Sequence, residues 1–508
     1  MPRPYQAMYD LAIVGGGING AGIARDAAGR GLITLLVEKD DLASHTSSWS
    51  TKLIHGGLRY LEYYEFRLVA ESLAEREVLL RAAPHIITPL QFVLPHEPHL
   101  RPAWMIRAGL FLYDHLGGRK SLPSSFGVEL STSKWGAGLK NTFHRGFVYA
   151  DARVDDSRLV VFNAISAREK GADIRTHTKL IAGRRQNGHW RMTLQEANGE
   201  TQEVSARALV NAAGPWVKQV QDEVSAEPAQ ARVRHVKGSH IVVPRIHQEE
   251  HAYILQNSDN RIVFVIPYQD QFSLIGTTDI PVEEYERPEI SSEEIAYLCA
   301  TASAYLARRI APGDVVWTYS GVRPLYDDGS TDPAAVTRDY VLKLDADDDI
   351  APLLSIFGGK ITTYRRLAEQ ALSELAPFFS EMKRPWTKTE PLPGGDMVRG
   401  DLAAYERELN ARYASLDPRL LRALARRHGT RSPRVLGNAT VVADLGRHFG
   451  DTLFAAEIEY LITQEWATGG EDVLWRRTKC GLHMTPGERE AVSHYLRERP
   501  RGVPLPTP

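Results

Sequence analysis

Gly15-Gly16-Gly17-Ile18-Asn19-Gly20 follows the apolar run Leu11-Ala12-Ile13-Val14 without a break, and Glu38 closes the next apolar run, Leu32 to Val37. The glycines permit a tight turn in which backbone N–H groups and a helix N-terminus reach a pyrophosphate. Ala21, Gly22, Ala24, Ala27 and Ala28 give the following helix a small-residue face that can lie close against a sheet. A carboxylate about 20 residues on accepts from ribose hydroxyls and disfavours a ribose 2′-phosphate. One glycine loop alone is weak evidence, since such loops punctuate many folds. Strand, glycines, small-residue helix, second strand and terminal acid in this order predict a dinucleotide cradle, with Gly15, Gly17, Gly20 and Glu38 as its contacts.

Three separated segments must come together to build that cradle. They are the opening unit, the strand Ala208-Leu209-Val210-Asn211 ending in Ala212-Ala213-Gly214, and the strand Leu353-Leu354-Ser355-Ile356 ending in Phe357-Gly358-Gly359-Lys360. Between them, Ser239 to Val243 and Arg261 to Ile266 show the alternation and β-branched content of an antiparallel sheet. After Pro385 the composition turns Arg- and Leu-rich, punctuated by Gly429, Pro433 and Gly437. The expected fold class is α/β: a discontinuous Rossmann-type domain, an antiparallel-sheet substrate domain and a helical C-terminal domain. The nucleotide-binding parts are expected at about 8–80, 150–220 and 350–375, and the substrate-domain parts at about 81–149 and 221–349. Together they form a region 8–384, with residues 385–508 as the helical domain. The Asp345-Ala346-Asp347-Asp348-Asp349 run is expected to be a solvated turn.

The 508 residues are 43% apolar and 24% charged, ordinary for a globular enzyme of two or three domains. A formal net charge of −2 gives no global attraction to nucleic acid or anionic lipid. Cys299 and Cys480 have neither disulfide nor metal-ligand spacing, so both are expected as buried thiols and no metal is expected. No apolar signal core opens the chain, and no uncharged stretch approaches the roughly 18 residues of a membrane span. A cytoplasmic location is therefore expected, with any membrane contact peripheral.

The string Thr46-Ser47-Ser48-Trp49-Ser50-Thr51-Lys52-Leu53-Ile54-His55-Gly56-Gly57-Leu58-Arg59-Tyr60-Leu61 is long and unusual. It resembles the FAD-dependent glycerol-3-phosphate dehydrogenases. The likeness continues through Asn211 to Trp216, Lys237-Gly238-Ser239-His240, Ile275-Gly276-Thr277-Thr278-Asp279, Tyr319 to Leu325, Thr337-Arg338-Asp339-Tyr340 and Phe357 to Arg365. It spans roughly residues 10 to 370 and extends to Trp475-Arg476-Arg477-Thr478 in the helical domain. Within the family it is similar to the aerobic, quinone-linked bacterial type. Neither the calcium-binding loop of the mitochondrial relatives nor the large insertion of the glycerophosphate oxidases is evident.

The resemblance implies FAD, held without a covalent link. Thr46, Ser47, Ser48 and Lys52 would meet its phosphate and ring edge, and Gly56 and Gly57 would let the backbone approach the ring. Ala212, Gly214, Gly358, Gly359, Lys360 and Thr362 would complete the cofactor contacts. A helix starting after Gly358-Gly359 would direct its dipole at the flavin. A phosphorylated substrate calls for guanidinium forks, for which Arg59, Arg323 and Arg338 are the candidates, with Lys360 as a further cation. Tyr60 and Thr278 could complete the substrate's hydrogen bonds. Oxidising a secondary alcohol also needs a base for the hydroxyl proton. His240 and Lys360 are the candidates, with His55 and His235 behind them, and Arg323 is included in the catalytic set.

The expected reaction is oxidation of sn-glycerol 3-phosphate to dihydroxyacetone phosphate, with electrons passed to membrane quinone. A glycerophosphate oxidase or related amine oxidase using oxygen is the alternative enzyme. A nucleic-acid-binding flavoprotein is the alternative of another class, disfavoured by the charge balance and by the lack of a nucleic-acid module. Expected partners are glycerol 3-phosphate, quinone and inner-membrane lipid, with a homodimer as the assembly and no nucleic acid. Two segments could touch lipid: Arg101 to Tyr113, rich in Trp, Phe and Met, and the basic Arg419 to His428, which could equally pack on its own domain.

Overall fold

The computed structural model describes residues 8–97, 100–118, 121–224, 232–257, 259, 261–327, 339–346 and 350–499. The opening apolar run forms strand Met8–Val14, which pairs in parallel with Thr34–Val37 on one side and Thr201–Asn211 on the other. Leu353–Phe357 and Asp173–Arg175 extend the parallel set outward. Leu11 to Val14 are buried because both faces of this sheet are covered, which is why the strand reads as a continuous apolar run. Helix Ile18–Gly29 lies against helices Asp156–Glu169 and Tyr364–Leu375. A β-carbon on Gly22 would stand 2.7 Å from the Tyr364 ring, so the small-residue face sets the spacing between helices.

A second, ten-stranded sheet holds Arg232–Pro244 between Phe272–Gly276 and Trp317–Asp327, followed outward by Ile262–Tyr268, Ala252–Gln256, Ile87–Pro95 and Arg145–Val154. Its pairings are antiparallel except where Ala252–Gln256 meets Ile87–Pro95. Three strands depart from the expected division of the chain. Leu53–Ile54 joins the second sheet, Arg145–Val154 crosses residue 150, and Val341–Asp345 folds back as a hairpin on Leu353–Phe357 at the edge of the first sheet. Edge pairing is a long-range choice of hydrogen-bond partner, which local periodicity does not carry. Asp345 ends that hairpin strand; residues 347–349 lie outside the described set.

Helices Leu402–Arg412, Pro418–His428, Ala455–Glu465 and Pro486–Glu498 enclose a separate apolar core that includes Leu421, Leu424, Ile458 and Leu461. Buried ion pairs fasten this domain to the first sheet's helices and loops. Asp41 accepts from two nitrogens of Arg477 at 2.7 Å and from Arg476 Nε at 2.6 Å. Arg158 pairs with Glu465, both fully buried, and Lys479 reaches Asp155 at 2.8 Å. The basic helix Pro418–His428 packs on its own domain: Leu420, Leu421, Leu424 and Ala425 face the core rather than a lipid surface. Cys299 and Cys480 are both free and buried. No helix among the described residues is long and apolar enough to cross a membrane.

Candidate active site

The strand ends Val14 and Val37, with Ala212 just past the strand that ends at Asn211, open into a cleft lined by Gly15, Gly17, Asn19, Glu38, Thr46, Ser47, Gly214, Gly358 and Gly359. Gly15 has a φ of 112°, and a β-carbon there would lie 2.4 Å from the Ala212 carbonyl oxygen, so only glycine closes this turn. Gly20 packs the helix onto the loop instead of lining the cleft, a β-carbon there meeting the Gly15 carbonyl oxygen at 1.9 Å. Gly17 caps helix Ile18–Gly29 without a side chain; Ser47 Oγ accepts from the Ile18 N–H at 3.0 Å. Glu38 accepts from the Gly16 N–H at 2.7 Å and the Asp40 N–H at 2.8 Å. Burial raises its carboxyl pKa, and the two amides oppose that rise. A close-approach turn, a helix N-terminus without its own cap and a buried carboxylate beside it fit an adenine dinucleotide.

Several lining residues escaped the sequence reading. Thr178, Lys179 and Leu180 arrive from the hairpin strand Thr178–Gln186, and nothing local marks them. Trp216 closes the Asn211 to Trp216 motif; its ring carries the Lys39 ammonium at 4.4 Å and the His45 ring at 4.5 Å.

The second sheet contributes its own face. Pairing of Arg232–Pro244 with Trp317–Asp327 sets His240 opposite Tyr319, Gly238 opposite Gly321 and Val236 opposite Arg323. Residues two apart share a face, so His240, Tyr319 and Arg323 lie on one side with glycines between them. A β-carbon on Gly238 would stand 2.7 Å from Thr277 Oγ1 and 3.5 Å from Arg323 Nη2. On the other side, Ser239 Oγ, Thr278 Oγ1 and Lys237 Nζ converge on Glu294 at 2.7, 2.7 and 2.8 Å. That corrects the expectation for Thr278: its hydroxyl also accepts from the Ser239 N–H at 2.9 Å and is committed to this network. Thr277 occupies the Arg323 side instead.

His240 is buried, stacked on Tyr319 at 4.7 Å, with Nε2 3.0 Å from Thr51 Oγ1. Burial, then Lys52 and Arg323, holds its pKa well below the ordinary imidazole value, so the ring is neutral near pH 7. Arg323 Nη2 donates to Asp279 Oδ1 at 2.8 Å and is about half exposed. His235 is tied to the Pro215 carbonyl at 3.0 Å and stacked on Tyr285.

Lys360 joins the two halves. Gly358 and Gly359, with φ of 71° and 105°, turn the chain from the cleft, and Asn19 Nδ2 donates to the Gly358 carbonyl at 3.0 Å. The Lys360 ammonium then sits 4.0 Å from the Tyr60 ring centroid, buried, with no hydrogen bond among the described residues. A buried cation without an acceptor is costly unless an anion joins it. Helix Tyr364–Leu375 begins later than expected, because Lys360 and Thr363 first close a turn. Thr362 Oγ1 accepts from the His55 N–H at 3.2 Å. Tyr60 and Arg59 lie on the helical turn Leu58–Tyr63, with Arg59 Nη2 3.4 Å from Tyr63 Oη. Gly56 fits beneath Tyr113, whose hydroxyl accepts from its N–H at 2.8 Å.

Lys52 departs from its expected role. Its ammonium donates to both Asp156 oxygens at 2.9 Å and to the Ser48 carbonyl at 2.8 Å, all buried, so it is a structural cation. Ser48 is buried and turned to the His45 carbonyl, and Thr46 Oγ1 donates to the Val322 carbonyl at 2.7 Å. Arg338 lies outside the described residues.

Residues 10–346 match the sequence profile described as FAD dependent oxidoreductase, and residues 385–497 match that of the C-terminal domain of alpha-glycerophosphate oxidase. A glycerol-3-phosphate dehydrogenase of Pseudomonas aeruginosa is 53% identical over 507 residues, covering 98% of each chain. A D-erythritol 1-phosphate dehydrogenase of Brucella abortus is 50% identical over 489 residues, covering 96% of this chain and 97% of the other.

Proposed function

Because the chain belongs to the FAD-dependent glycerol-3-phosphate dehydrogenases, we propose that it oxidises sn-glycerol 3-phosphate to dihydroxyacetone phosphate and passes the electrons to a membrane quinone. The observation that carries this reading is the Lys360 ammonium, buried over the Tyr60 ring just past the Gly358-Gly359 wall of the nucleotide cleft and without a hydrogen-bond acceptor among the described residues. The cleft residues Gly15, Gly17, Glu38, Thr46, Ser47, Ala212, Gly214, Gly358 and Gly359 would hold FAD. Bound FAD supplies the two-electron acceptor for the hydrogen on the alcohol carbon.

The chain's own groups do the rest. Lys360 and the guanidinium groups of Arg59, Arg323 and Arg338 bind the phosphate, which carries about −1.5 to −2 charge, and orient the C2 hydroxyl. His240 takes the hydroxyl proton at Nδ1, the ring nitrogen without a partner among the described residues, while Thr51 holds Nε2. The neutral state of the ring keeps that nitrogen available near pH 7.

The comparable identity to a D-erythritol 1-phosphate dehydrogenase supports a second reading, a longer polyol phosphate oxidised at the same carbon. Both are tested by adding each substrate to the oxygen-free, FAD-loaded protein and following the flavin absorbance. Bleaching by glycerol 3-phosphate at lower concentration than by D-erythritol 1-phosphate supports the first; the reverse order replaces it with the second. In a separate air-saturated assay, peroxide formed as fast as substrate is consumed would overturn the quinone assignment.

Peripheral membrane contact is supported by helix Ala103–Leu116. Trp104 is 70% exposed and Phe111 59%, and Met105 and Leu112 extend the same apolar face. Tyr64, 80% exposed, stands on the neighbouring loop, which Arg101 clips to the helix start through Glu62. Such a face suits the headgroup boundary of a bilayer, and high salt should weaken but not abolish its binding. Replacing Trp104 and Phe111 together by Ser should release the FAD-loaded protein from liposomes and slow quinone reduction while leaving soluble-dye reduction intact. Unchanged liposome binding would assign the helix to another role.

A further inference from the structure

A cavity of about 480 Å³ lies between the second sheet and the C-terminal domain, and no residue lines both it and the nucleotide cleft. Its size falls within the range of small-molecule sites. Eight Lys and Arg side chains line it against four carboxylates, Asp155, Glu250, Asp270 and Asp451. Lys52 and Lys479 are neutralised by Asp156 and Asp155. Five of the six arginines share four carboxylates, Glu250, Asp451, Glu406 and Glu457, which leaves the arginine set in excess. Arg153 and Arg245 share Glu250, at 3.5 and 2.6 Å, Arg419, Arg426 and Arg427 pair with Asp451, Glu406 and Glu457 at 3.5, 3.3 and 3.2 Å, and Arg422 makes no ion pair or hydrogen bond among the described residues. Burial and the like charges of Arg426 and Arg245 lower the Arg153 pKa, which places these guanidinium groups within each other's field.

Two further groups in the same wall lack hydrogen-bond partners among the described residues. Tyr268 Oη and both ring nitrogens of His85 are buried without a hydrogen bond among the described residues. Polar atoms closed off in this way ordinarily find a partner in the protein or in something bound beside it. Helix Pro418–His428 brings Arg422 and Arg426 from one side, and the sheet brings Arg153 and Arg245 from the other. An ion with two phosphate groups can bridge these pairs, whereas a single phosphate meets fewer of them.

We propose that this interdomain cavity is a second anion site, which binds a small soluble polyanion with at least two phosphate groups, a pyrophosphate or nucleoside diphosphate. The ligand bridges the C-terminal domain and the sheet. It is independent of the phosphate-binding cations of the substrate site.

The test titrates inorganic pyrophosphate and, separately, inorganic phosphate into the FAD-loaded full chain by calorimetry. Pyrophosphate should bind at least about tenfold more tightly than phosphate, and raising ionic strength from about 0.05 to about 0.2 M should weaken it several-fold. The double variant Arg422→Gln with Arg426→Gln should lower the affinity about tenfold while leaving oxidation of glycerol 3-phosphate unchanged. Glu250→Gln removes a competing carboxylate and should tighten binding, which keeps the idea testable if the arginine variants fold poorly. Arg323→Ala should leave the pyrophosphate affinity as it is. Equal affinities for the two ions, wild-type binding in a folded double variant, loss of binding in Arg323→Ala, or binding of a single-stranded RNA with none of pyrophosphate would each overturn the proposal.

Discussion

Replacing Lys360 by Met removes an ammonium while keeping an unbranched apolar stem. The ammonium has no carboxylate partner among the described residues, so the fold loses one cation–π contact with Tyr60 and no ion pair. That contact is worth about 0.5–2 kcal/mol, and relief of an uncompensated buried charge offsets it, so stability should move by no more than about 1 kcal/mol. Substrate handling should change far more. A charge-assisted hydrogen bond is worth about 1.5–3 kcal/mol, which at about 1.4 kcal/mol per decade lowers kcat/KM roughly 10- to 150-fold. If Lys360 grips phosphate throughout the reaction, most of the loss appears in KM; if its ammonium contacts the substrate only as the transition state forms, kcat falls instead. Lys52→Met is the control. It strands Asp156, buried and bonded at 2.9 Å, and should cost about 3–5 kcal/mol of stability. Urea unfolding and dye-coupled kinetics on both FAD-loaded variants separate the two lysines. A Lys360→Met enzyme with parental kinetics and bound FAD, or one destabilised as much as Lys52→Met, would refute the reasoning.

Arg323→Ala should lower kcat/KM for glycerol 3-phosphate roughly tenfold or more, with Arg323→Lys an incomplete rescue because the bidentate fork is lost. Its half-exposed pair with Asp279 makes little difference to the unfolding midpoint, so a large stability loss would point to a structural role. Glu38→Arg should reduce the FAD retained through gel filtration, since a buried ribose acceptor is replaced by a donor of opposite charge; full retention would remove Glu38 from the cofactor site. Burial pushes His85 and His251 down to about 3 and His247 to about 4. These imidazoles stay neutral when folded but protonate near 6.5 when unfolded, so the unfolded chain binds more protons below that pH. Stability should be full above about pH 6.5 and fall between there and about pH 4, each group contributing about 1.4 kcal/mol per pH unit. A urea midpoint that is flat or rises from pH 7 to pH 5.5 would contradict this sign.

The dinucleotide cradle was legible because its parts are neighbours along the chain. Val14, Gly15, the following small-residue helix and Glu38 belong to one strand, helix and strand unit, whose geometry follows from local backbone requirements such as the positive φ of Gly15. The alternation at Ser239 to Val243 marked a strand in the same local way, but only its pairing with Trp317–Asp327 sets His240 and Arg323 on one face. Roles that depend on a distant partner were not legible. Lys52 reads as a cofactor contact until Asp156, 104 residues away, is folded against it. Thr278 reads as a substrate group until Ser239 and Glu294 take its hydroxyl, leaving Thr277 on the Arg323 side. Two segments with comparable membrane-binding patterns were separated only by packing: helix Pro418–His428 buries its leucines in the C-terminal core, while Trp104 and Phe111 remain exposed. Local spacing specifies which backbone shapes are allowed and which residues share a face; whether a charge or apolar surface is free for function depends on what the rest of the chain brings against it.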